Sequence, residues 1–277
     1  QVVIVIFGVY MLSKGKINAG QIASYVIYLI PLQKIIEDIQ SFIKARKMYK
    51  EYSQRIITFY TDSEKTDGKF LDEQICLLEV KNLSFSYEPN KPIFEKLNFK
   101  VFKGEKVRIS GKNGSGKSTL VKLLSGLYCE YEGELKLNES TYKDFNIDSI
   151  RTHIAYIEQD PYFFQGTVQE NILSVNNEIN SDEIIKLFKQ LGFNKPLEYK
   201  IEPGGSNLSG GEKQKLSIIR GLLKKSDLYI FDEPTSNLDK DSRNILKNIL
   251  EDSKNTAIFI SHGDDLDMLA YKEIKIG

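Results

Sequence analysis

Apolar residues dominate the first 43 positions of the chain, in two runs with a polar connector between them. The runs cover residues 2–12 and 22–32, and the connector covers residues 13–21. Apolar residues then recur at helical spacing as far as Ile43, and basic residues cluster from Lys44 onwards. Such basic clusters favour the cytoplasmic side of a membrane. The pattern predicts the end of one membrane-spanning helix, a short outer loop, and a long last helix that continues into the cytoplasm.

Two other interpretations of the apolar runs were weighed. A secretory signal peptide begins with Met and a charged segment and ends at a cleavage site, and none of these is seen in the sequence. A buried hairpin of a soluble protein stays open on the pattern alone. A helix needs about 20 residues to cross a bilayer core, so the first run is shorter than a span. Because Gln1 stands at the edge of that run, we expect the chain to be part of a longer protein, with residues missing after Gly277 as well.

A polar segment of mixed charge follows the apolar region, and we interpret residues 57–76 as a linker. Beyond it, Leu83, Phe85 and Tyr87 alternate with serines, which is the period-two pattern of a β-strand. Strands and helices then alternate along the chain, as is typical of a layered α/β domain. The sequence therefore predicts an apolar part at residues 1–56, the linker, and a folded domain at residues 77–277.

The composition supports a folded protein and gives no reason to expect nucleic acid as a partner. Hydrophobic residues make up 41% of the chain and charged residues 27%, as in proteins that form a core. The 38 basic and 38 acidic residues balance, so the formal net charge is zero. Cys76 and Cys129 lack the spacing of metal ligands and are interpreted as free, buried or partly buried thiols in a reducing compartment.

A glycine-rich motif, GKNGSGKST, lies between a predicted strand at residues 106–110 and a predicted helix at residues 120–127. It fits the phosphate-loop pattern G-x-x-x-x-G-K-[ST], in which glycines let backbone N–H groups point at phosphates beside a helix N-terminus. Lys117 is expected to reach the β- and γ-phosphates and Ser118 to bind Mg²⁺. The other interpretation is a glycine-rich turn that matches by chance. The predicted nucleotide-binding residues of this motif are Gly111, Lys112, Asn113, Gly114, Ser115, Gly116, Lys117, Ser118 and Thr119.

A second motif is a buried apolar strand that ends in two carboxylates, Asp232 and Glu233. Asp232 is expected to hold Mg²⁺, directly or through water. Glu233 stands where it can take a proton from an attacking water. Acidic strand ends are often merely solvated, so this motif gains its meaning from the phosphate loop.

The segment LSGGEKQ at residues 208–214, together with these motifs, resembles the nucleotide-binding domain of ABC transporters. The resemblance covers residues 77–277 and implies an α/β P-loop NTPase fold with a RecA-like core, an antiparallel β subdomain and an α-helical signature subdomain. It also implies that two such domains face each other and enclose two ATP molecules. In that arrangement the signature residues contact the γ-phosphate of the ATP held by the opposite subunit. They are Ser209, Gly210, Gly211 and Glu212.

Four further positions match the family in order. Tyr87 resembles the aromatic residue that stacks on adenine, and Gln159 the glutamine that senses Mg²⁺ and water in a loop touching the membrane domain. Asp239, in residues 236–239, resembles the end of the loop that crosses the dimer interface, and His262 the switch histidine at the γ-phosphate. By themselves these four would pass for a core tyrosine, a solvated amide, a helix cap and a structural histidine. His153 matches no motif and is interpreted as a surface or packing residue.

Exporter-type members of the family are the best match. Residues 163–172, residues 205–207 and the order of apolar segments before the nucleotide domain all resemble exporters. Residues 1–56 then correspond to the C-terminal fragment of an exporter transmembrane domain, so transmembrane α-helices precede the nucleotide domain. Two positions depart from the usual pattern, Glu212 in place of Gln and Asn237 in place of Ala. These departures put the strength of contacts in doubt rather than the family.

The resemblance implies an ATPase that drives export of a peptide, lipid or drug across a membrane. The implied cofactors are ATP and Mg²⁺, with Glu233, Gln159 and His262 as catalytic residues and Ser118, Gln159 and Asp232 around the metal. Two alternatives are a regulatory nucleotide-binding module and a soluble ABC ATPase outside transport. The presence of Glu233 and His262 argues against the first, and the apolar runs argue against the second.

The expected partners are a second ABC half-transporter, identical or different, the membrane lipid and the transported substrate, with no nucleic acid. The expected location is the plasma (inner) membrane, as a multi-pass protein with its nucleotide domain in the cytoplasm. A composition rich in Lys, Ile and Asn suggests a bacterial source.

Overall fold

The computed structural model describes residues 68–88, 91–176, 178–260 and 272–276, together with scattered positions between 7 and 46. The chain divides into two units, Gln1–Ser63 and Glu64–Gly277.

In the first unit, the described residues outside the polar connector are helical. Asn18 and Gln21 exchange hydrogen bonds between side chain and backbone, each of 2.9 Å, which is the arrangement of a capping box at a helix start. Among the positions described, no helix has both the length and the apolar character needed to span a bilayer. The predicted spanning helices lie mostly on residues outside the described ones and stay a prediction.

The described residues of the second unit form three sheets. Its strands are β1 (Leu77–Glu88), β2 (Lys91–Phe102), β3 (Lys106–Gly111), β4 (Glu132–Leu137), β5 (Ser140–Thr141), β6 (Ile154–Ile157), β7 (Gly166–Thr167), β8 (Lys200–Ile201), β9 (Leu228–Asp232), β10 (Thr256–Ile260) and β11 (Lys272–Ile276). Its α-helices are α1 (Lys117–Leu124), α2 (Ile147–His153), α3 (Val168–Leu173), α4 (Ser181–Leu191), α5 (Gly210–Leu223) and α6 (Lys240–Asp252). Short 3₁₀ turns cover Tyr142–Asp144 and Pro203–Gly205.

The central sheet has the strand order β11-β3-β10-β9-β6, and all of its pairs are parallel. A four-stranded antiparallel sheet of order β2-β1-β4-β5 and a small β7-β8 pair complete the topology. The α/β class of the nucleotide domain is thus confirmed, with an antiparallel sheet beside the parallel one. In a parallel sheet the carboxyl ends of neighbouring strands meet at one edge, so the residues after β3 and β9 gather there beside the end of β10.

Alternation along the central strands divides the core into two clusters, as expected for a sheet buried on both faces. Ile230 and Ile260 face one cluster, with α1 and the antiparallel sheet. Phe231 and Phe259 face the other cluster, with helices α4, α5 and α6. Asp232 follows Ile230 by two residues, so it points to the face that α1 covers.

The expected helix at residues 120–127 differs from the structure at both ends, because α1 runs from Lys117 to Leu124. Its C-terminus is closed by hydrogen bonds from Gly126 N to Leu123 O and from Leu127 N to Lys122 O, with Gly126 at φ +74°. These bonds form a Schellman motif, which needs a left-handed residue and suits glycine. The apolar Leu127 therefore lies beyond the helix rather than in it.

Part of the predicted linker packs against the nucleotide domain. Leu71 and Ile75 are buried in the first core cluster. The backbone of Lys69 pairs with Phe145 and Asn146, and Leu71 N donates to Ser149 Oγ at 3.0 Å. Because the segment is mostly polar, its composition did not identify Leu71 and Ile75 as core residues.

Candidate nucleotide-binding and catalytic site

The phosphate-loop motif forms the turn from β3 into α1. Gly116 precedes the helix with φ +90°, a conformation that side chains disfavour. A Cβ at this position would also collide with Ile93 and would touch Phe94. Glycine is therefore required here both for the turn and for the close approach of β2 to the loop.

The Lys117 side chain lies inside the phosphate loop and is hydrogen-bonded to the loop backbone. It is buried, and its ammonium donates to Gly111 O at 2.9 Å and to Lys112 O at 3.0 Å. The first turn of α1 contains no acidic residue. A buried cation beside a helix N-terminus is a favourable place for an anion such as phosphate.

A cavity of about 470 Å³ opens in front of this loop. Its volume lies in the usual range for small-molecule sites, roughly 300–1,000 Å³. Its lining residues are Ile93, Asn113, Gly114, Gly116, Lys117, Ser118, Thr119 and Glu233. The structure therefore brings the phosphate loop and the predicted base Glu233 into one cavity, although they lie far apart in the sequence.

Asp232 is buried at the end of β9 and is held through both carboxylate oxygens. Ser118 Oγ donates to Oδ1 at 3.4 Å, and the phenol of Tyr156 donates to Oδ2 at 3.2 Å. Burial raises the pKa of Asp232 above its usual value, and the two hydroxyl groups partly offset this rise. Burial also raises the pKa of Tyr156, followed by the charge of Asp232, so the phenol remains a donor. Asp232 is therefore a buried carboxylate, and a nearby cation would stabilise its charged form.

Glu233 has φ +48°, in the left-handed region that non-glycine residues rarely adopt. Its N–H donates to Ile260 O of β10 at 2.9 Å, and Gln159 Nε2 donates to its Oε2 at 2.7 Å. The backbone turn places the carboxylate in the cavity, and the amide of Gln159 orients it. The Gln159 side chain is thus hydrogen-bonded to the predicted base, Glu233.

Tyr87 stands next to the end of the phosphate loop. Its hydroxyl lies 3.1 Å from Thr119 Oγ1, and its ring meets Phe85 and Tyr128 edge-on, with centroids 4.9 and 5.7 Å apart. More than half of the Tyr87 side chain is exposed. An exposed ring face beside the phosphate loop is available for stacking on a base.

The signature residues form the N-terminus of α5. Ser209 Oγ accepts from Glu212 N at 3.2 Å, while Glu212 Oε2 accepts from Ser209 N at 2.8 Å, which is a capping box. The Ser209 N–H holds the pKa of Glu212 below its usual value. Ser209 and Gly210 are exposed, and a Cβ at Gly211 would lie 3.1 Å from Asn237 O. Glu212 therefore caps the start of α5, a role that Gln, the usual residue at this position in the family, can also perform.

Asp239 caps α6 and joins that helix to α5. Its Oδ1 accepts from Ser242 N at 2.8 Å, and Lys215 of α5 pairs with its Oδ2 at 3.0 Å. These contacts, the Ser242 N–H first, hold the pKa of Asp239 well below its usual range. The predicted site residues thus form two groups, one at the cavity and one where α5 meets the 236–239 loop.

His262 lies outside the described residues. The strand expected before it is confirmed as β10, whose Ile260 pairs with Asp232. The role of His262 stays a prediction.

One residue of the site was missed by sequence reasoning. Tyr156 contacts Asp232, and its only signal was a polar tip on a buried strand.

His153 lies at the other end of β6, away from the site. It is half-buried between Asp227 Oδ2 and Leu71 O, each 2.7 Å from a ring nitrogen. The structure thus agrees with the packing alternative for His153, and its partners lie 74 and 82 residues away in the sequence.

Comparison with known proteins decides the family. The family described as ABC transporter matches residues 94–236, just over half of the chain. The chain belongs to the ABC transporter family. Membership of this family implies that the chain binds ATP. The matched residues include the phosphate loop, Asp232, Glu233 and the signature segment.

Several members of the ABC transporter family are similar over most of this chain. The lactococcin-G-processing and transport ATP-binding protein LagD of Lactococcus lactis subsp. lactis is 32% identical over 263 residues, which cover 90% of this chain and 37% of that protein. The microcin-J25 export ATP-binding/permease protein McjD of Escherichia coli is 30% identical over 243 residues, 84% of this chain and 42% of that protein. The chain thus spans less than half the length of these curated relatives.

A solved structure of a bacterial Atm1-family ABC exporter with ATP bound shares the fold. Its TM-score is 0.73 at 23% identity, with 99% of this chain and 51% of that chain covered.

Proposed function

We propose that this chain binds ATP with Mg²⁺ and hydrolyses the ATP to drive export of a peptide, lipid or drug across a membrane. The observation that carries this proposal is the meeting of Lys117, Ser118 and Glu233 in one cavity, with Asp232 against Ser118. The names of the relatives, which refer to transport of lactococcin G and export of microcin J25, support export.

ATP is bound through its phosphates in this proposal. Lys117 and the loop N–H groups from Gly111 to Thr119 surround the β- and γ-phosphates, and Tyr87 stacks on the adenine. Lys117 already donates two hydrogen bonds to loop carbonyls, and an ammonium has three N–H groups. The third donor can therefore turn to phosphate without loss of the loop conformation.

The residues at the end of β9 fit a magnesium ion. Asp232 offers a buried carboxylate and Ser118 a hydroxyl within hydrogen-bonding distance of it, both oxygen ligands of the kind Mg²⁺ prefers. Gln159 is the third proposed ligand, through its side-chain oxygen. Mg²⁺ binds through few protein groups together with substrate phosphates. When bound, the ion would neutralise phosphate charge.

Glu233 is the proposed general base. Its carboxylate lies in the cavity, and the amide of Gln159 keeps it oriented. Glu233 accepts a proton from the attacking water, and His262 stabilises charge on the γ-phosphate. Gln159 is hydrogen-bonded to the base and lies two residues after the end of β6. A change at the base can therefore move Gln159 and the segment around it.

The second group of residues is proposed to complete the site of another subunit. Ser209, Gly210 and Gly211, with Glu212 as their cap, place a helix N-terminus and exposed backbone at the surface, which suits a γ-phosphate held by a second ABC half-transporter. Asp239 orders the adjoining 236–239 loop at the same interface. Two subunits arranged head to tail then enclose two ATP molecules, and phosphate release separates them.

The transport assignment determines the proposed location and domain organisation. Residues 1–56 are the end of a transmembrane domain, residues 57–76 the linker and residues 77–277 the nucleotide domain, in a multi-pass protein of a bacterial plasma membrane. The nucleotide domain faces the cytoplasm. Lipid and the transported substrate are then partners of the complete transporter.

The test is the substitution Glu233→Gln, which keeps the shape of the side chain and removes its basicity. We expect ATP binding to persist, hydrolysis to fall by about 100- to 10,000-fold, the usual range for general acid–base catalysis, and a dimer to accumulate with ATP and Mg²⁺. Glu251→Gln, at an exposed position of α6, is the matched control and should hydrolyse ATP like the unchanged chain. Wild-type turnover in Glu233→Gln would refute the assignment of the base.

A further inference from the structure

A tyrosine on the strand beside β9 holds the proposed magnesium carboxylate. Tyr156 of β6 pairs in register with Ile230 of β9, and Asp232 follows Ile230 by two residues on the same face. Diagonal neighbours of this kind on adjacent strands are within reach of a long aromatic side chain. The phenol accordingly reaches Asp232 Oδ2 at 3.2 Å.

The carboxylate is therefore fixed from two sides. Tyr156 holds Oδ2 from the sheet, and Ser118 of α1 lies 3.4 Å from Oδ1. A carboxylate held at one oxygen can still rotate about its last bond, whereas contacts at both oxygens define its plane. The oxygen that faces Ser118 thus lies beside another proposed magnesium ligand.

The same strand also leads to the second carboxylate of the site. Tyr156 lies three residues before Gln159, whose amide donates to Glu233 Oε2 at 2.7 Å. One short segment thus contacts both Asp232 and Glu233. A displacement of β6 would move the contacts of both acids together.

We propose that Tyr156 is a positioning residue for the magnesium site, which orients Asp232 so that one oxygen faces Ser118. This inference rests on the proposed function, since it assumes that Asp232 and Ser118 bind Mg²⁺. It assigns a task to the phenol hydroxyl and not to the ring, which packs against the first core cluster. Tyr156→Phe keeps the ring and removes the hydroxyl, so it separates the two.

The experiment measures metal binding rather than turnover. In the Glu233→Gln background, where ATP persists, the dissociation constant of Mn²⁺ from the protein–ATP complex is measured by electron paramagnetic resonance. We expect Tyr156→Phe to weaken Mn²⁺ binding about tenfold, as for the loss of one hydrogen bond to a charged group. Binding of ATP in EDTA should stay within about twofold of the parent, because the phosphate loop is untouched.

Two reference variants make the outcome decisive. Tyr229→Phe removes a buried phenol from β9 itself, on the opposite face of the sheet, and should leave Mn²⁺ binding unchanged. Asp232→Asn should weaken Mn²⁺ binding more than Tyr156→Phe does.

The possible contrary results are distinguishable. If Asp232→Asn weakens Mn²⁺ binding and Tyr156→Phe does not, the positioning role is wrong and the proposed function stands. If Tyr156→Phe weakens ATP binding in EDTA to the same extent as Mn²⁺ binding, its role is structural and the inference is overturned. If Asp232→Asn binds Mn²⁺ like the parent, the metal assignment itself fails.

Discussion

Lys117 combines two tasks at the scale of a single residue. Its ammonium is buried and donates to the carbonyls of Gly111 and Lys112, which stabilises the curled loop. The same charge faces the cavity in which phosphates are proposed to bind. A charge in this position is costly without partners, and the loop carbonyls supply two of them.

Replacing Lys117 with Ala should weaken ATP binding by about 10- to 100-fold, the range for losing hydrogen bonds to a charged group. Calorimetric titration with ATP measures the change. The matched control is Lys186→Ala, which removes an exposed lysine from α4 and should leave the affinity unaltered. Unchanged ATP affinity in Lys117→Ala would mean that the cavity does not bind the phosphates.

Site residues in motifs of fixed local spacing could be predicted from the sequence. Contacts between positions that lie far apart in the sequence could not. The glycines of the phosphate loop and the Asp232-Glu233 pair stand in motifs whose spacing follows from the turn they form. The bond between Gln159 and Glu233 joins positions 74 residues apart. The contact of Tyr156 with Asp232 depends on which strand lies beside β9, and this is a property of the assembled sheet.

At the scale of elements, side chains close the ends of several helices. Ser209 with Glu212, and Thr167 with Glu170, form capping boxes at the starts of α5 and α3. Lys224, at the end of α5, donates to Arg151 O at 2.5 Å and to Ile154 O at 2.7 Å. It thereby satisfies backbone carbonyls at the junction of α2 and β6, directly before Tyr156.

Lys224 should make stability depend on alkaline pH. Burial lowers the pKa of its ammonium from 10.5 to about 8 in the folded protein. Below pH 8 both folded and unfolded chains carry the proton, whereas between pH 8 and 10.5 the unfolded chain binds more protons. The free energy of unfolding therefore rises with pH in this window. Since one pKa unit corresponds to about 1.4 kcal/mol, the gain over this window is at most about 3.5 kcal/mol.

Urea unfolding of the chain and of Lys224→Met between pH 7.5 and 10.5 measures this contribution. The difference in slope between the two proteins isolates Lys224 from the other lysines and tyrosines. Lys186→Met, at an exposed lysine, should retain the slope of the parent. Parallel stability curves for the parent and Lys224→Met would show that burial does not perturb this group.

Strand positions were easier to predict than helix ends. The alternation of Leu83, Phe85 and Tyr87 lies within β1, and the segment expected before the phosphate loop is β3. The end of α1 was misplaced because Leu127 continues the apolar composition, while Gly126 stops the helix through its backbone conformation. A terminating geometry of this kind depends on two hydrogen bonds that composition does not reveal.

At the scale of the whole molecule, contacts between distant segments hold the nucleotide domain together. His153 at the end of α2 reaches Leu71 O in the segment before β1 and Asp227 Oδ2 in the segment before β9. Asp227 Oδ2 also accepts from Ile75 N at 3.0 Å. One imidazole and one carboxylate therefore fasten residues 68–76 to the domain.

Replacing His153 with Ala should lower the free energy of unfolding by about 1–3 kcal/mol, because the partly buried groups on either side of the ring lose a hydrogen-bond partner. It should also speed hydrogen exchange at the amides of Leu71 and Ile75, since both belong to the fastened segment. Urea titration and exchange mass spectrometry measure the two effects. Thr152→Ala, at the exposed neighbouring position, serves as the control, and equal exchange in both variants would contradict the bridge.

The general architecture followed from the alternation of strands and helices, but the strand order did not. The order β11-β3-β10-β9-β6 places segments from opposite ends of the domain side by side. Sequence alone does not reveal which apolar strands become neighbours, because β9 and β10 are buried along their whole length on both faces and lack a polar side. The cavity follows from this order, since it lies where β3, β9 and β10 end.

The backbone at Glu233 has an evolutionary consequence. A φ of +48° costs an ordinary side chain on the order of 1–3 kcal/mol, and Asn or Gly would relieve much of it. Selection for heat resistance alone would therefore favour Asn or Gly here, and both lack the carboxylate that is proposed to act as the general base. At this position thermal tolerance is thus opposed to the proposed role of Glu233 in hydrolysis.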